Sequence, residues 1–219
     1  MTDQVRIDIT SSEQVTAITY PAAGKHAGIR LILGHGAGAG QASSFMVRFA
    51  STLAARGIDT VTFNFLYTEQ RRRVPDRNDK LEACRDGVVG GKPREKLVIG
   101  GKSMGGRIAS QVASADGGGI AGLVLLGYPL HPPGQPEKLR TKHLPGITAP
   151  MLLVQGSRDT FGTPAELKPH FGQLKAPVDL YVVEGGDHSF KVPKGLGPSQ
   201  DRVYEMVLDE IERWLHRLN

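Results

Sequence analysis

Ser103 stands in the run Gly101-Lys102-Ser103-Met104-Gly105, with an apolar stretch, Lys96 to Gly100, before it and a helix-forming stretch, Gly106 to Ala113, after it. A serine at the centre of G-x-S-x-G, between a strand and a helix, occupies a turn so tight that its hydroxyl stands clear of the backbone. That placement suits a nucleophile. Glycine and serine are also common in plain turns, so the motif gains meaning only with partners. A serine hydroxyl needs a base to take its proton and an acid to orient that base. In this arrangement they follow in the order serine, acid, histidine. The apolar run Pro150 to Gln155 leads into Asp159, and the run Val178 to Val183 leads into His188. Both residues are expected at the C-terminal ends of buried strands. His188 would accept the serine proton, and Asp159 would fix the imidazole tautomer and stabilise its positive charge. Asp187 is a rival acid, but a neighbour of the base on one loop rarely has the needed geometry.

Acyl transfer also needs backbone donors aimed at the developing oxyanion. An early strand, Gly28 to Leu33, runs into the glycine-rich loop Gly34 to Gly40. The donors expected from that loop and from the residue after the serine are the amides of Ala37 and Met104. Candidate substrate contacts are His35, Asn64, Tyr67, Arg71 and His131. Arg71, Arg72 and Arg73 form the densest basic stretch and follow the strand Asp59 to Phe65. At the C-terminal edge of a sheet they would hold an anionic group; a solvated loop is the plain alternative. His35 is also placed to shape the oxyanion loop by hydrogen bonding. His131 and His143 fall in a proline-rich connection where turn roles are common. Cys84 reads as a small buried residue beside Leu81 and Val88.

Two other motifs fail on inspection. Gly34 to Ala39 fits a dinucleotide fingerprint, but the next strand ends in Asn64 and Phe65 rather than an acid. Gly101-Lys102-Ser103 imitates the tail of a P-loop, but Lys96 stands where its first glycine belongs. No CxxC or HExxH spacing occurs. The expectation is no cofactor and no metal.

With these residues in place, the chain resembles the α/β-hydrolase superfamily from about residue 28 to the C-terminus. Several phrases are similar to bacterial relatives of the NSL-complex-subunit and testis-expressed hydrolase-like proteins, a branch near the dienelactone hydrolases. They begin at His35, Phe63, Gly100, Gly127, Gln155 and Gly185. The resemblance implies an α/β-hydrolase fold, a three-layer α/β/α sandwich with a mostly parallel sheet. It also implies a serine hydrolase acting on an ester, thioester or lactone. Dienelactone hydrolases carry cysteine at the elbow; Ser103 stands here, so their activity does not transfer. A non-catalytic interaction module and a lyase or perhydrolase variant are the alternatives on the same fold.

The elements needed to position these residues are visible as patterns. Val5 to Thr10 and Val15 to Tyr20 alternate and read as two exposed antiparallel strands. Strands then centre near residues 31, 61, 98, 124, 152 and 181, with helices near 43–56, 79–89, 104–115 and 200–217. Such alternation implies a mostly parallel sheet covered on both faces. In the last helix, residues 203, 206, 207, 211, 214 and 215 form the expected buried stripe. The segment from Gly127 to Ala149 is short and proline-rich, so a minimal cap and a shallow site are expected. The 219 residues, 39% hydrophobic and 22% charged, fit a single domain spanning 1–219. No run nears the ~20 apolar residues of a membrane span. A single cysteine and no signal-peptide layout point to a cytoplasmic protein. The net charge of +5 permits nucleic acid, but no aromatic-interleaved basic motif supports it. The expected partner is a small-molecule acyl substrate; the sequence sets no oligomeric state.

Overall fold

The computed structural model describes residues 2–88, 95–115, 119–195 and 197–218, with side chains described up to residue 83 in the first stretch. Among the described residues eight strands form one sheet in the order β1-β2-β4-β3-β5-β6-β7-β8. They are β1 (Asp3–Asp8), β2 (Gln14–Tyr20), β3 (Ile29–Gly34), β4 (Asp59–Phe63), β5 (Lys96–Lys102), β6 (Gly122–Leu126), β7 (Met151–Gly156) and β8 (Val178–Val183). β1 pairs with β2, and β2 with β4, antiparallel; every later pairing is parallel.

Helices cover both faces because the central strands are apolar on both sides. On one face Leu31, Leu33, Val98, Val124, Leu126 and Val154 pack with α1 (Ser44–Ala55) and α6 (Gln200–Arg217). On the other, Ile32, Ile99, Leu123, Leu125 and Leu153 pack with α4 (Met104–Ala115). α3 (Asn78–Val88) contributes Leu81 to that second cluster. The side chains of Cys84 and Val88 lie outside the described residues.

Three expectations need correction. β2 is not an exposed strand: Val15, Ala17 and Tyr20 are buried, because β4 pairs with its inner edge and Tyr20 packs on Ala50 and Ala54. In α6 the buried stripe runs through Val203, Val207, Leu208, Ile211, Trp214 and Leu215, while Met206 is exposed. Two helices have no counterpart in the sequence reading: the single turn α2 (Leu66–Glu69) and α5 (Pro164–Phe171). The α5 start is nevertheless written in the chain as a capping box, with Thr163 and Glu166 bonded reciprocally. It was obscured by Pro169 and by only two buried side chains, Leu167 and Phe171.

The β6–β7 connection carries no helical cap, only one 3-10 turn at Leu144–Gly146. It is a fixed wall. His143 Nε2 meets Ser110 Oγ at 2.7 Å, Ser114 Oγ donates to the His143 carbonyl, and Tyr128 Oη donates to the Arg140 carbonyl at 2.6 Å.

Candidate active site

The β5–α4 turn forces Ser103 into a left-handed conformation, φ 51°, rare for a residue with a side chain. Such strain costs on the order of 1–2 kcal/mol and must be held by its surroundings. The Ser103 amide donates to the Leu126 carbonyl at 2.9 Å, and the Arg107 amide donates to the Ser103 carbonyl at 3.0 Å. The flanking glycines are needed for contact as much as for turning. A Cβ on either Gly101 or Gly105 would lie 2.2 Å from the Gly34 carbonyl oxygen.

His188 follows β8 in a turn that Phe190 pins into the core, fully buried at φ 61°. Asp159 follows β7. The two loops touch at Gly156, where a Cβ would meet the carbonyls of Gly186 and Asp187 at 2.4 Å. This brings the three residues into line. His188 Nε2 is 2.8 Å from Ser103 Oγ, and His188 Nδ1 is 2.7 Å from Asp159 Oδ2. Asp159 is 1% exposed, and its Oδ1 accepts the Phe161 amide at 2.8 Å. The Phe161 ring stacks on the His188 imidazole at 4.2 Å.

Gln155 is a member of this arrangement that sequence reasoning missed. Wholly buried, it donates from Nε2 to Asp159 Oδ2 at 2.8 Å and to the Gly162 carbonyl, and accepts the Tyr128 amide. Its amide holds the inner carboxylate oxygen in place. Asp187 is spent elsewhere: its Oδ1 accepts the amides of Ser189 and Lys191 at 2.7 and 2.9 Å.

Ser103 and His188 open on a cavity of about 540 Å³. Ala37 and Met104 border it, and among the described residues neither amide has a hydrogen-bond partner. The other walls come from both faces of the sheet: Phe45, Met46 and Tyr204 on one side, Leu81, Arg107 and Arg140 on the other.

None of the five candidate substrate contacts borders this cavity. His35 is fully buried; its Nδ1 donates to the Gly36 carbonyl at 2.8 Å and its Nε2 accepts the Phe65 amide at 3.2 Å. Burial holds its pKa below the usual histidine value, consistent with a neutral strut under the oxyanion loop. Asn64 accepts the Gln41 amide, Tyr67 is 1% exposed, and His131 is buried against Pro132 and Glu166. Arg71, at φ 55°, turns the chain outward after α2 and leaves Arg71, Arg72 and Arg73 exposed. Arg71, Arg72 and Arg73 do not border the cavity, although Arg72 pairs with Asp76, which does. At the other end of the strands, His26 Nε2 lies 3.6 Å from Glu95 and 3.9 Å from Asp59. This is the one trio of metal-ligating types that converges among the described residues.

Lys102 also borders the cavity, but its Nζ is enclosed and unpartnered, 5.7 Å over the Phe190 ring. Burial pushes its pKa down to about 8, against the upward pull of Asp159 and Asp187. Between pH 8 and the ordinary value of 10.5 the unfolded chain binds a proton there that the folded chain does not. Stability therefore rises with pH across that window, and below pH 8 the full cost of the buried charge remains. Lys102→Met is expected to raise the unfolding free energy at pH 7 by about 1–3 kcal/mol. Its stability should lack the rise above pH 8. Urea titrations at pH 7 and 9.5 measure both; a variant no more stable than wild type at pH 7 contradicts the argument.

The sequence model of the alpha/beta hydrolase domain family matches residues 27–216. The chain belongs to that family. Solved structures share its fold at low identity. A dienelactone hydrolase from Anabaena variabilis superposes with a TM-score of 0.77 at 18% identity, covering 99% of this chain and 97% of that one. An alpha-beta serine hydrolase homologue from Coxiella burnetii gives 0.72 at 19%, covering 98% and 96%. An a/b serine hydrolase without lid from Xanthomonas campestris gives 0.72 at 16%, covering 99% and 93%. In this α/β-hydrolase chain Ser103, Asp159 and His188 follow β5, β7 and β8 in that order. Among the described residues no helix is long and apolar enough to cross a membrane.

Proposed function

We propose that this α/β-hydrolase is a single-domain serine hydrolase that cleaves a carboxylic ester, thioester or lactone through an acyl-enzyme. The observation that carries the reading is the unbroken hydrogen-bond path from Ser103 Oγ through His188 to the buried Asp159 carboxylate, at the wall of a cavity large enough for a small acyl substrate. Asp159 only accepts, so His188 Nδ1 carries its proton and Nε2 is left as the base. Nε2 takes the hydroxyl proton as Ser103 Oγ bonds to the substrate carbonyl carbon, and the carbonyl electron pair moves onto oxygen. The amides of Ala37 and Met104 receive that oxyanion. Collapse expels the alcohol or thiol, which takes the proton from His188. Water then repeats the cycle on the acyl-serine and regenerates the free hydroxyl.

Labelling with a fluorophosphonate tests the nucleophile: mass spectrometry should place the adduct on Ser103, and short p-nitrophenyl esters should turn over. No adduct at Ser103 would return the chain to a non-catalytic role.

A further inference from the structure

Two guanidinium groups, those of Arg107 and Arg140, border the cavity. Arg107 lies one helical turn along α4 from Ser103, and both residues border the cavity. Its Nη1 donates to Asn78 and Gln111 at 3.2 and 3.0 Å, and its Nη2 to Asn78 at 3.1 Å. These acceptors are neutral: they fix the fork without adding a negative charge of their own. Arg140 enters from the β6–β7 wall, where its Nη1 donates to the Pro129 carbonyl at 3.3 Å. Its own backbone is held there by the Tyr128 hydroxyl and the Leu130 carbonyl. Among the described residues neither guanidinium forms an ion pair. Burial lowers both pKa values, and at Arg107 the charge of Arg140 lowers it further while Tyr128 and Glu82 pull the other way. Two like charges held together at the wall of a partly buried cavity favour an anion between them.

We propose that Arg107 and Arg140 are a carboxylate subsite, and that the substrate is an ester or thioester bearing a free carboxylate on one half. This deepens the hydrolase reading and rests on it. A carboxylate suits the site better than a dianionic phosphate, because the Asp76 carboxylate also borders the cavity, paired with Arg72. The uncharged half finds Phe45, Met46 and Tyr204 on the opposite wall. Planar two-pronged donors match the two oxygens of a carboxylate.

Two substrate pairs test the subsite and tell which half carries the charge. p-Nitrophenyl hemiglutarate against p-nitrophenyl pentanoate places it on the acyl half; 4-acetoxybenzoate against phenyl acetate places it on the alcohol half. Wild type should favour the charged member of one pair by at least about tenfold in kcat/KM, and Arg140→Gln should remove that preference, chiefly through KM. Arg107→Gln should act likewise, but it also cuts the Asn78 link between α3 and α4, so Arg140→Gln decides. No preference in either pair, or one that survives Arg140→Gln, overturns the subsite. Calorimetric titration of Ser103→Ala protein with glutarate separates the two readings. Arg140-dependent glutarate binding without any ester turnover would leave the subsite standing and the hydrolase reading fallen. Turnover of neutral esters at Ser103 with charge indifference in both pairs would do the reverse.

Discussion

Ser103→Ala is expected to lower ester turnover by about 10⁶-fold, the loss seen when the serine of another such relay is removed. In the proposed mechanism the hydroxyl forms the acyl bond, and alanine offers no substitute. The fold should be unharmed. Ser103 projects into the cavity, and its structural duty is done by its backbone, through the Leu126 and Arg107 hydrogen bonds, which alanine keeps. The left-handed φ of 51° suits alanine no worse than serine. Groups that act as a unit are non-additive, so adding His188→Ala should cost almost nothing further. Activity within tenfold of wild type, with an unchanged melting temperature, would remove Ser103 from the chemistry.

How far this site could be read from the chain depends on what kind of fact each residue requires. Ser103, Asp159 and His188 could be picked out because each follows a strand closely and in a fixed order; no side-chain direction had to be known. The elbow glycines were legible for a related reason, since backbone approach to Gly34 admits no side chain. Gln155 sits inside the strand run Met151–Gly156 and looks like one more strand residue. Its role appears only when β7 is seen buried with the Asp159 loop folded back over it. Arg107 and Arg140 are 33 positions apart by numbering and border one cavity because the wall that carries Arg140, tied to Tyr128, is held to α4 at His143. Arg71 shows the converse: nearness in sequence to a strand end says nothing of direction, and after the unforeseen turn of α2 this residue is exposed and does not border the cavity. α5 was missed although its capping box is local, because a helix with two buried side chains has almost no apolar period to detect.

Asp159→Asn should lower kcat by about 10⁴-fold, the effect of the same change in a well-characterised serine relay. The geometry here gives the reason. Asp159 Oδ2 accepts from both His188 Nδ1 and Gln155 Nε2, while Oδ1 accepts the Phe161 amide. Every contact is a donor facing the carboxylate. An asparagine must turn its NH₂ toward one side. Turned to Oδ2, it clashes with the Gln155 amide and donates to His188 Nδ1, which leaves Nε2 protonated and unable to accept from Ser103. Turned to Oδ1, it faces the Phe161 N–H and forfeits that bond. In either case the positive charge that grows on His188 loses its counter-charge. Asp187→Asn should cost far less, below about tenfold, because its carboxylate serves the Ser189 and Lys191 amides and an asparagine carbonyl oxygen can still accept from them. Steady-state kinetics on the two variants, with circular dichroism to confirm folding, decides between them. A larger loss from Asp187→Asn than from Asp159→Asn would move the acid to Asp187 and break the relay described here.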